Sequence, residues 1–218
     1  MSDTTRHISR YMLPEPTLRR LPWYLAYVKM LDSKHEEYVS STQIAKRLNV
    51  DASQIAKDLS FLNIKGKTRI GYEVKSLERE LRGFLGFKTI HPTIILGCGS
   101  LGSALIQDVG LQRYGLKIVA GFDVNPEIVG TTICGVPIFD IADIESRRKL
   151  HKAEIAIISV PVENAQDAAD TAIAAGIKAL WNFTPFRIRA TEDIVIQNTS
   201  IYAHLAVMFN RLNSQNKK

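Results

Sequence analysis

The apolar positions change rhythm once along the chain, near residue 88. Before that point they recur at helical spacing. In residues 19–31, Leu21, Tyr24, Leu25, Val28 and Leu31 share one face of a 3.6-residue repeat. Pro22 suits the first turn of that helix. Ser41–Leu48 and residues 52–62 read as two short helices joined by Asn49, Val50 and Asp51. Residues 63–75 are rich in Lys and Gly, with Ile70, Tyr72 and Val74 alternating, which predicts a two-stranded wing. Residues 75–85 predict another helix. From residue 89 onward, short apolar runs predict strands at 93–96, 117–123, 136–139, 155–160, 179–182 and 194–196. Helical stretches at 103–109 and 165–175 lie between them. Strands alternating with helices predict a parallel, doubly wound sheet of the Rossmann kind. A last helix, 202–213, carries Tyr202, Leu205, Ala206, Phe209 and Leu212 on one side. The fold class is therefore α/β: a helical N-terminal domain followed by a doubly wound parallel sheet.

Residues 42–59 (TQIAKRLNVDASQIAKDL) have the spacing of a helix-turn-helix. Ala45 is small where the second helix must cross the first. Ile44, Leu48, Val50, Ile55 and Leu59 occupy the internal positions. Asn49 tolerates the left-handed turn, and Asp51 is a good N-cap for the second helix. Ser53, Gln54 and Lys57 of that helix then face outward, to base edges or phosphates in a major groove. Lys65, Lys67 and Arg69 of the wing are placed to touch phosphates, which position a protein without specifying sequence. Ser41, at the start of the first helix, is counted with these DNA-binding candidates. The spacing alone would also suit two helices of another small bundle.

Charge changes that balance. The chain of 218 residues has a formal net charge of +6. Residues 1–88 carry 16 Lys/Arg against 10 Asp/Glu, whereas residues 89–218 carry 12 of each. The whole excess lies in the half with the helix-turn-helix, as a protein that meets a polyanion would arrange it. Composition is ordinary for a globular chain, 45% hydrophobic and 23% charged, and excludes collagen, coiled coil and disorder. No apolar run approaches the roughly 20 residues of a membrane span. Residues 1–13 contain Arg6, His7 and Arg10 without an apolar core, so no secretory signal is expected. Two cysteines, Cys98 and Cys134, make neither a disulfide framework nor a zinc site, and no metal is expected. Together these features predict a soluble protein of the reducing cytoplasm.

The run Gly97-Cys98-Gly99-Ser100-Leu101-Gly102 follows an apolar strand and opens a helix. That context gives the glycines of a dinucleotide fingerprint their roles. Gly97 permits a tight turn, Gly99 lets a pyrophosphate approach the backbone, and Gly102 lets helix pack close to strand. Asp123 ends the next strand, 21 residues after Gly102. An acid there accepts hydrogen bonds from ribose hydroxyls and repels a 2′-phosphate, so NAD(H) is the expected cofactor. A cofactor does not make an enzyme. No room remains for a separate substrate domain, and no acid and base are convincingly paired. Of five histidines only His204 is placed near the cofactor, where packing explains it as well. Cys98 is either a small residue that fits the loop or an oxidisable thiol at the helix N-terminus.

Taken together, these residues resemble the Rex family of redox-sensing transcriptional repressors. The similar segments run from residue 21 to about 212. They include RLPWYLAYVKML (20–31), SSTQIAKRLNVDASQIAKDLSF (40–61), ILGCGSLGSAL (95–105), GFDVNPEIVG (121–130) and AAGIKALWNFTP (174–185). The resemblance implies a homodimer with a winged-helix domain at 1–88, a Rossmann domain at 89–198, and a terminal helix at 199–218 swapped onto the partner. It implies binding to double-stranded operator DNA that is released when NADH is high. It also implies that Val160 and Pro161 line the nicotinamide side, with Ile201 of the partner subunit reaching in.

Some positions depart from the family pattern. Ala56 stands where an Arg is usual beside Lys57, and Thr68 and Arg69 replace Arg and Gly in the wing. A polar relay of Arg, Asp and Tyr is replaced by Ala26, Ser200 and Asp108. These changes predict an NADH response that is weak or that runs through other contacts. They leave room for a related protein that holds NAD without switching, or, on the cofactor alone, for an NAD-dependent oxidoreductase.

Overall fold

The computed structural model describes residues 13–215, so the expectation for the first twelve residues lies outside them. The chain divides into two compact units after Lys88.

The N-terminal unit runs α1 (Glu15–Ser33), β1 (Tyr38–Val39), α2 (Ser41–Leu48), α3 (Ala52–Leu59), β2 (Tyr72–Glu73) and α4 (Val74–Phe84). α1 starts earlier than its apolar face suggests. Pro16 takes the proline place in the first turn, and Pro22 lies inside the helix, where it removes the N–H that would bond to the Leu18 carbonyl. α2 opens with a reciprocal cap between Ser40 and Gln43 and ends at Asn49, whose φ of 53° and ψ of 47° are left-handed. Asp51 then caps α3 by accepting from the Ser53 N–H at 2.7 Å. α3 stops at Leu59, three residues short of expectation. Its interior residues Ile55 and Leu59 pack with Ile44 of α2, with Leu21, Leu25 and Val28 of α1, and with Leu77 and Leu81 of α4.

The wing differs from the expected hairpin. Tyr72 pairs with Val39 and Glu73 with Tyr38, so the strand pair joins β2 to β1, the segment before α2. Within the wing there is one bridge, Lys67 to Gly71. Of the alternating Ile70, Tyr72 and Val74, only Tyr72 lies in a strand, since Ile70 falls in the turn and Val74 already opens α4. Gly71 has φ +111°, and a Cβ on it would lie 2.4 Å from the Val39 carbonyl oxygen, so glycine alone lets the wing close on β1.

The C-terminal unit contains β3 (His91–Leu96), α5 (Ser100–Gln107), α6 (Val109–Arg113), β4 (Leu116–Asp123), β5 (Thr132–Ile133), β6 (Val136–Asp140), α7 (Ile144–His151), β7 (Ile155–Ile158), α8 (Ala165–Ala174), β8 (Ala179–Asn182), β9 (Val195–Asn198) and α9 (Ile201–Gln215). The sheet order is β5-β6-β4-β3-β7-β8-β9, parallel except at the β5 edge. That edge hairpin was not predicted; Cys134 and Gly135, both at positive φ, form its two-residue turn. Side chains alternate between two buried faces. Ile94, Leu96, Ala156 and Ile158 meet Ala169 and Ala172 of α8, while Ile95 and Ile157 meet Ile106 of α5. Helices on both faces explain why the strands read as unbroken apolar runs. The β7 run ends at Ile158 rather than Val160, because residues 159–161 leave the sheet. The helix expected at 103–109 begins at Ser100 and breaks at Asp108, which ends α5 and caps α6.

One carboxylate ties α3 to α1. Asp58 is fully buried and accepts five hydrogen bonds. Arg20 donates through Nε (2.6 Å) and an NH2 group (2.8 Å), Tyr24 through its hydroxyl (2.7 Å), Thr17 at 3.1 Å and Gln54 at 2.8 Å. Burial alone would raise the carboxyl pKa; the hydrogen bonds from Arg20, Tyr24, Gln54 and Thr17 outweigh it and bring the value down from 3.8 to about 2. The folded-state value is depressed, so this stabilisation is complete above pH ~4 and is lost as the pH falls toward 2. Asp58→Asn leaves the Arg20 guanidinium without its counter-charge. Urea unfolding at pH 7 should show a loss of about 3 kcal/mol, and the gap to the unsubstituted protein should narrow between pH 4 and 2.

Candidate functional site

The turn from β3 into α5 is held by two steric limits. Gly97 has φ +89°, and a Cβ on it would sit 2.6 Å from the Ser159 carbonyl oxygen. A Cβ on Gly102 would sit 2.0 Å from the Gly97 oxygen. Ser159 donates its hydroxyl to the Gly97 carbonyl (2.8 Å), and Ser103 donates to that of Cys98 (2.7 Å). Neither serine stood out in the sequence, since a serine after an apolar run carries no signal of its own. Gly99 is different, because a Cβ there meets nothing within 4 Å. The N-terminus of α5 has no side-chain cap, and Ser100 and Leu101 are exposed. Unpaired N–H groups and the positive end of the helix dipole therefore face open space.

Asp123 stands beside this turn at the end of β4. Its Oδ2 accepts from the Cys98 N–H (2.7 Å), and its Oδ1 accepts from those of Val124 (2.8 Å) and Asn125 (2.9 Å). The Cys98 thiol points away from the helix N-terminus into the sheet, where it is buried near the Phe122 carbonyl. Burial, together with the Asp123 charge, pushes its pKa up to about 12. The reactive-thiol reading of Cys98 therefore fails: the side chain is a buried filler, and its backbone N–H holds Asp123.

Two cavities flank the turn, of about 310 and 670 Å³. Gly97, Asp123, Val160 and Pro161 line both. Phe122, Val124 and Ile141 line the smaller cavity. Phe183, Thr184, Pro185, Ile201 and Tyr202 line the larger. Ile201 arrives here from the same chain, because only Thr199 and Ser200 separate β9 from α9. His204 does not line either cavity; its Nδ1 lies 2.8 Å from the Ser200 carbonyl oxygen, within the helix's own backbone.

In the N-terminal unit, Ser53, Ala56 and Lys57 are exposed along α3, with Ser41 half-buried at the start of α2. The structure engages three of the expected contact residues, two of them on α3. Gln54 is half-buried and donates to Asp58, and the Ser53 hydroxyl donates to Asp51. In the wing, Lys65 and Arg69 are exposed, but Lys67 donates to the Tyr38 hydroxyl and sits 4.7 Å from that ring's centroid. Arg69 has φ +65°, a backbone conformation that favours glycine.

Residues 88–186 match the family model described as "CoA binding domain", and residues 12–60 the model described as "Putative DNA-binding protein N-terminus". The redox-sensing transcriptional repressor Rex of Bacteroides fragilis is 59% identical over 213 residues, spanning 98% of this chain and 97% of that one. Rex of Porphyromonas gingivalis is 54% identical over 202 residues, 93% of each. Among solved structures, RSP in complex with β-NAD+ and operator DNA matches with a TM-score of 0.90 at 32% identity, covering 94% of each chain. RSP in complex with β-NADH matches with a TM-score of 0.84 at 33% identity, over 94% of this chain and 96% of that one. The chain belongs to the Rex family. These relatives favour neither the non-switching protein nor the oxidoreductase.

Of the three positions expected from the resemblance to depart from the family's relay, two hold helix starts in this Rex chain and the third, Ala26, does not. Ala26 is exposed on α1. Asp108 caps α6, accepting from the Gly110 N–H at 2.6 Å, and Ser200 accepts from the Ala203 N–H at 3.2 Å in the first turn of α9. The two glycines next to the helix N-terminus separate packing from access. Gly102→Ala drives a methyl into the Gly97 carbonyl and should cost more than about 3 kcal/mol in denaturant unfolding. Gly99→Ala should leave the unfolding midpoint unchanged while weakening NADH binding about tenfold or more by titration.

Proposed function

We propose that this chain is an NAD(H)-binding transcriptional repressor that grips operator DNA through its N-terminal unit and releases it when NADH accumulates. The observation that carries this reading is the uncapped N-terminus of α5, open at Gly99 and flanked by Asp123, in a chain whose other unit exposes a helix-turn-helix. The pyrophosphate lies against Gly97, Gly99, Ser100, Leu101 and Gly102, where backbone N–H groups and the helix dipole favour anions. The Cys98 N–H instead serves Asp123. Of the four lone-pair sites on the Asp123 carboxylate, three take backbone N–H groups, leaving Oδ2 free to accept from a ribose hydroxyl. A 2′-phosphate would meet the same negative charge. Adenine occupies the smaller cavity and nicotinamide the larger, with Val160 and Pro161 lining both. Apolar walls at Phe183, Pro185, Ile201 and Tyr202 suit a neutral dihydronicotinamide better than the cationic oxidised ring, because burying a charge without a partner is costly. That difference supplies the differential affinity a redox sensor needs.

On DNA, Lys57 of α3 reaches the major groove with Ser53, while Lys65, Arg69 and Ser41 meet the backbone. Gln54 and Lys67 contribute mainly by fixing α3 and the wing. No helix among the described residues is long and apolar enough to cross a membrane. With DNA and a soluble dinucleotide as ligands, the protein acts in the cytoplasm as a sensor rather than an oxidoreductase. Operator selection followed by titration without cofactor, with NAD+ and with NADH tests this directly. Affinity should fall with NADH, and NADPH should bind about tenfold or more weakly than NADH. Equal operator affinity in all three conditions would refute the sensing role.

α9 points to a homodimer. Ile201, Tyr202, Met208, Phe209 and Leu212 are all about half or more exposed, an apolar helix surface without cover in the single chain. A second copy taking this helix in exchange covers both surfaces at once. A chain ending at Thr199 should sediment as a monomer or fail to stay in solution; a stable truncated dimer would contradict the swap.

A further inference from the structure

The relay expected from family resemblance is missing, yet the larger cavity is wired to α9 by contacts of another kind. Asn182 ends β8, is fully buried, and has every hydrogen-bonding position filled. Its Oδ1 accepts from the Thr184 N–H (2.9 Å) and the Thr184 hydroxyl (2.8 Å). Its Nδ2 donates to the Phe186 carbonyl (2.7 Å) and to Oδ1 of Asn198 (2.9 Å). Asn198 is the register partner of Asn182 on β9, three residues before α9. Trp181, on the opposite face of β8, makes a second connection. Its ring centroid lies 4.7 Å from that of Phe183, and its Nε1 donates to the Thr199 hydroxyl at 2.9 Å. Thr184 and Phe183 line the larger cavity, and Asn198 and Thr199 lead directly into Ile201 and Tyr202, which line it from the other side.

We propose that Asn182, with Trp181 beside it, is the positioning residue that couples the occupant of the nicotinamide-side cavity to the first turn of α9. The inference rests on the redox-sensing reading above and names the route that reading requires. A saturated buried amide has no slack. If a ring in the cavity moves Thr184, Asn182 must follow or break a bond, and Asn198 moves with it. Phe183, Trp181 and Thr199 transmit the same displacement on the other face of the sheet. Neither chain of contacts uses Ala26, Asp108 or Ser200, so a switch built this way survives their replacement.

The test alters the α9 end of both connections, away from the cofactor. Asn198→Ala with Thr199→Val removes both acceptors, whereas Asn198→Asp with Thr199→Ser keeps them. The readout is the ratio of operator affinity in saturating NAD+ to that in saturating NADH, for the full-length protein, with melting temperature and NADH affinity measured alongside. The first pair should lower the ratio at least threefold while NADH affinity stays within twofold and melting changes little; the second pair should keep the parent's ratio. A first pair that retains the parent's ratio overturns the proposal and leaves redox sensing standing. So does a second pair that loses the ratio as fully as the first, because the lost acceptors would then not be the cause. A parent ratio of one, seen before any variant is made, overturns the redox-sensing reading and this proposal together.

Discussion

The 2.0 Å between the Gly97 carbonyl oxygen and a hypothetical Cβ on Gly102 is the constraint on which the C-terminal unit turns. No side chain fits there, so α5 starts almost in contact with β3. Everything near the site follows from that closeness. The helix N-terminus is delivered to the carboxyl edge of the sheet, where β4 also ends and presents Asp123. Asp123 in turn holds the loop through the Cys98 N–H, and Ser159 locks the Gly97 carbonyl from the neighbouring strand. The two cavities lie on either side of this locked turn, which is the position where parallel sheets of this architecture take nucleotides.

The N-terminal unit solves a different problem, with charge instead of small size. A helix-turn-helix of two eight-residue helices has little interior of its own. Its presented helix must be held at a fixed angle by something else. Asp58 does this by gathering donors from Thr17, Arg20 and Tyr24 on α1 and from Gln54 on its own helix. A buried carboxylate is expensive unless almost every lone pair is met. Here it is met, so the contact has one allowed geometry where an apolar contact would tolerate several.

Departures from the family pattern become intelligible once each residue is placed. Asp108 and Ser200 hold helix starts, and Ala26 presents only a methyl. Arg69 occupies a left-handed position in an exposed turn, where its side chain is free of the core. Lys67, although basic and in the wing, is held by Tyr38. Charge excess in the first 88 residues is thus a sound guide to the partner's charge and a poor guide to which cations are free to meet it.

Local patterns legible in the sequence came through because they act over a few residues. Helical spacing in α1, the left-handed turn at Asn49, the N-cap at Asp51, the close approach of Gly102 to Gly97 and the acid ending β4 each depend on neighbours within a few residues or one strand, whereas the second limit on Gly97 comes from Ser159, 62 residues on. Only the tertiary structure decided which distant groups meet. Thr17 and Asp58 are 41 residues apart, Cys98 and Asp123 are 25, and Asn182 and Asn198 are 16. Spacing could place the strand at Tyr72 but not pair it with Val39. It could assign Gln54 to an outward row but not show Asp58 drawing that amide inward. It could put Cys98 at a helix N-terminus but not bury its thiol in the sheet. A residue's periodicity fixes the side of an element it faces; what waits on that side is set by chain segments brought there from elsewhere.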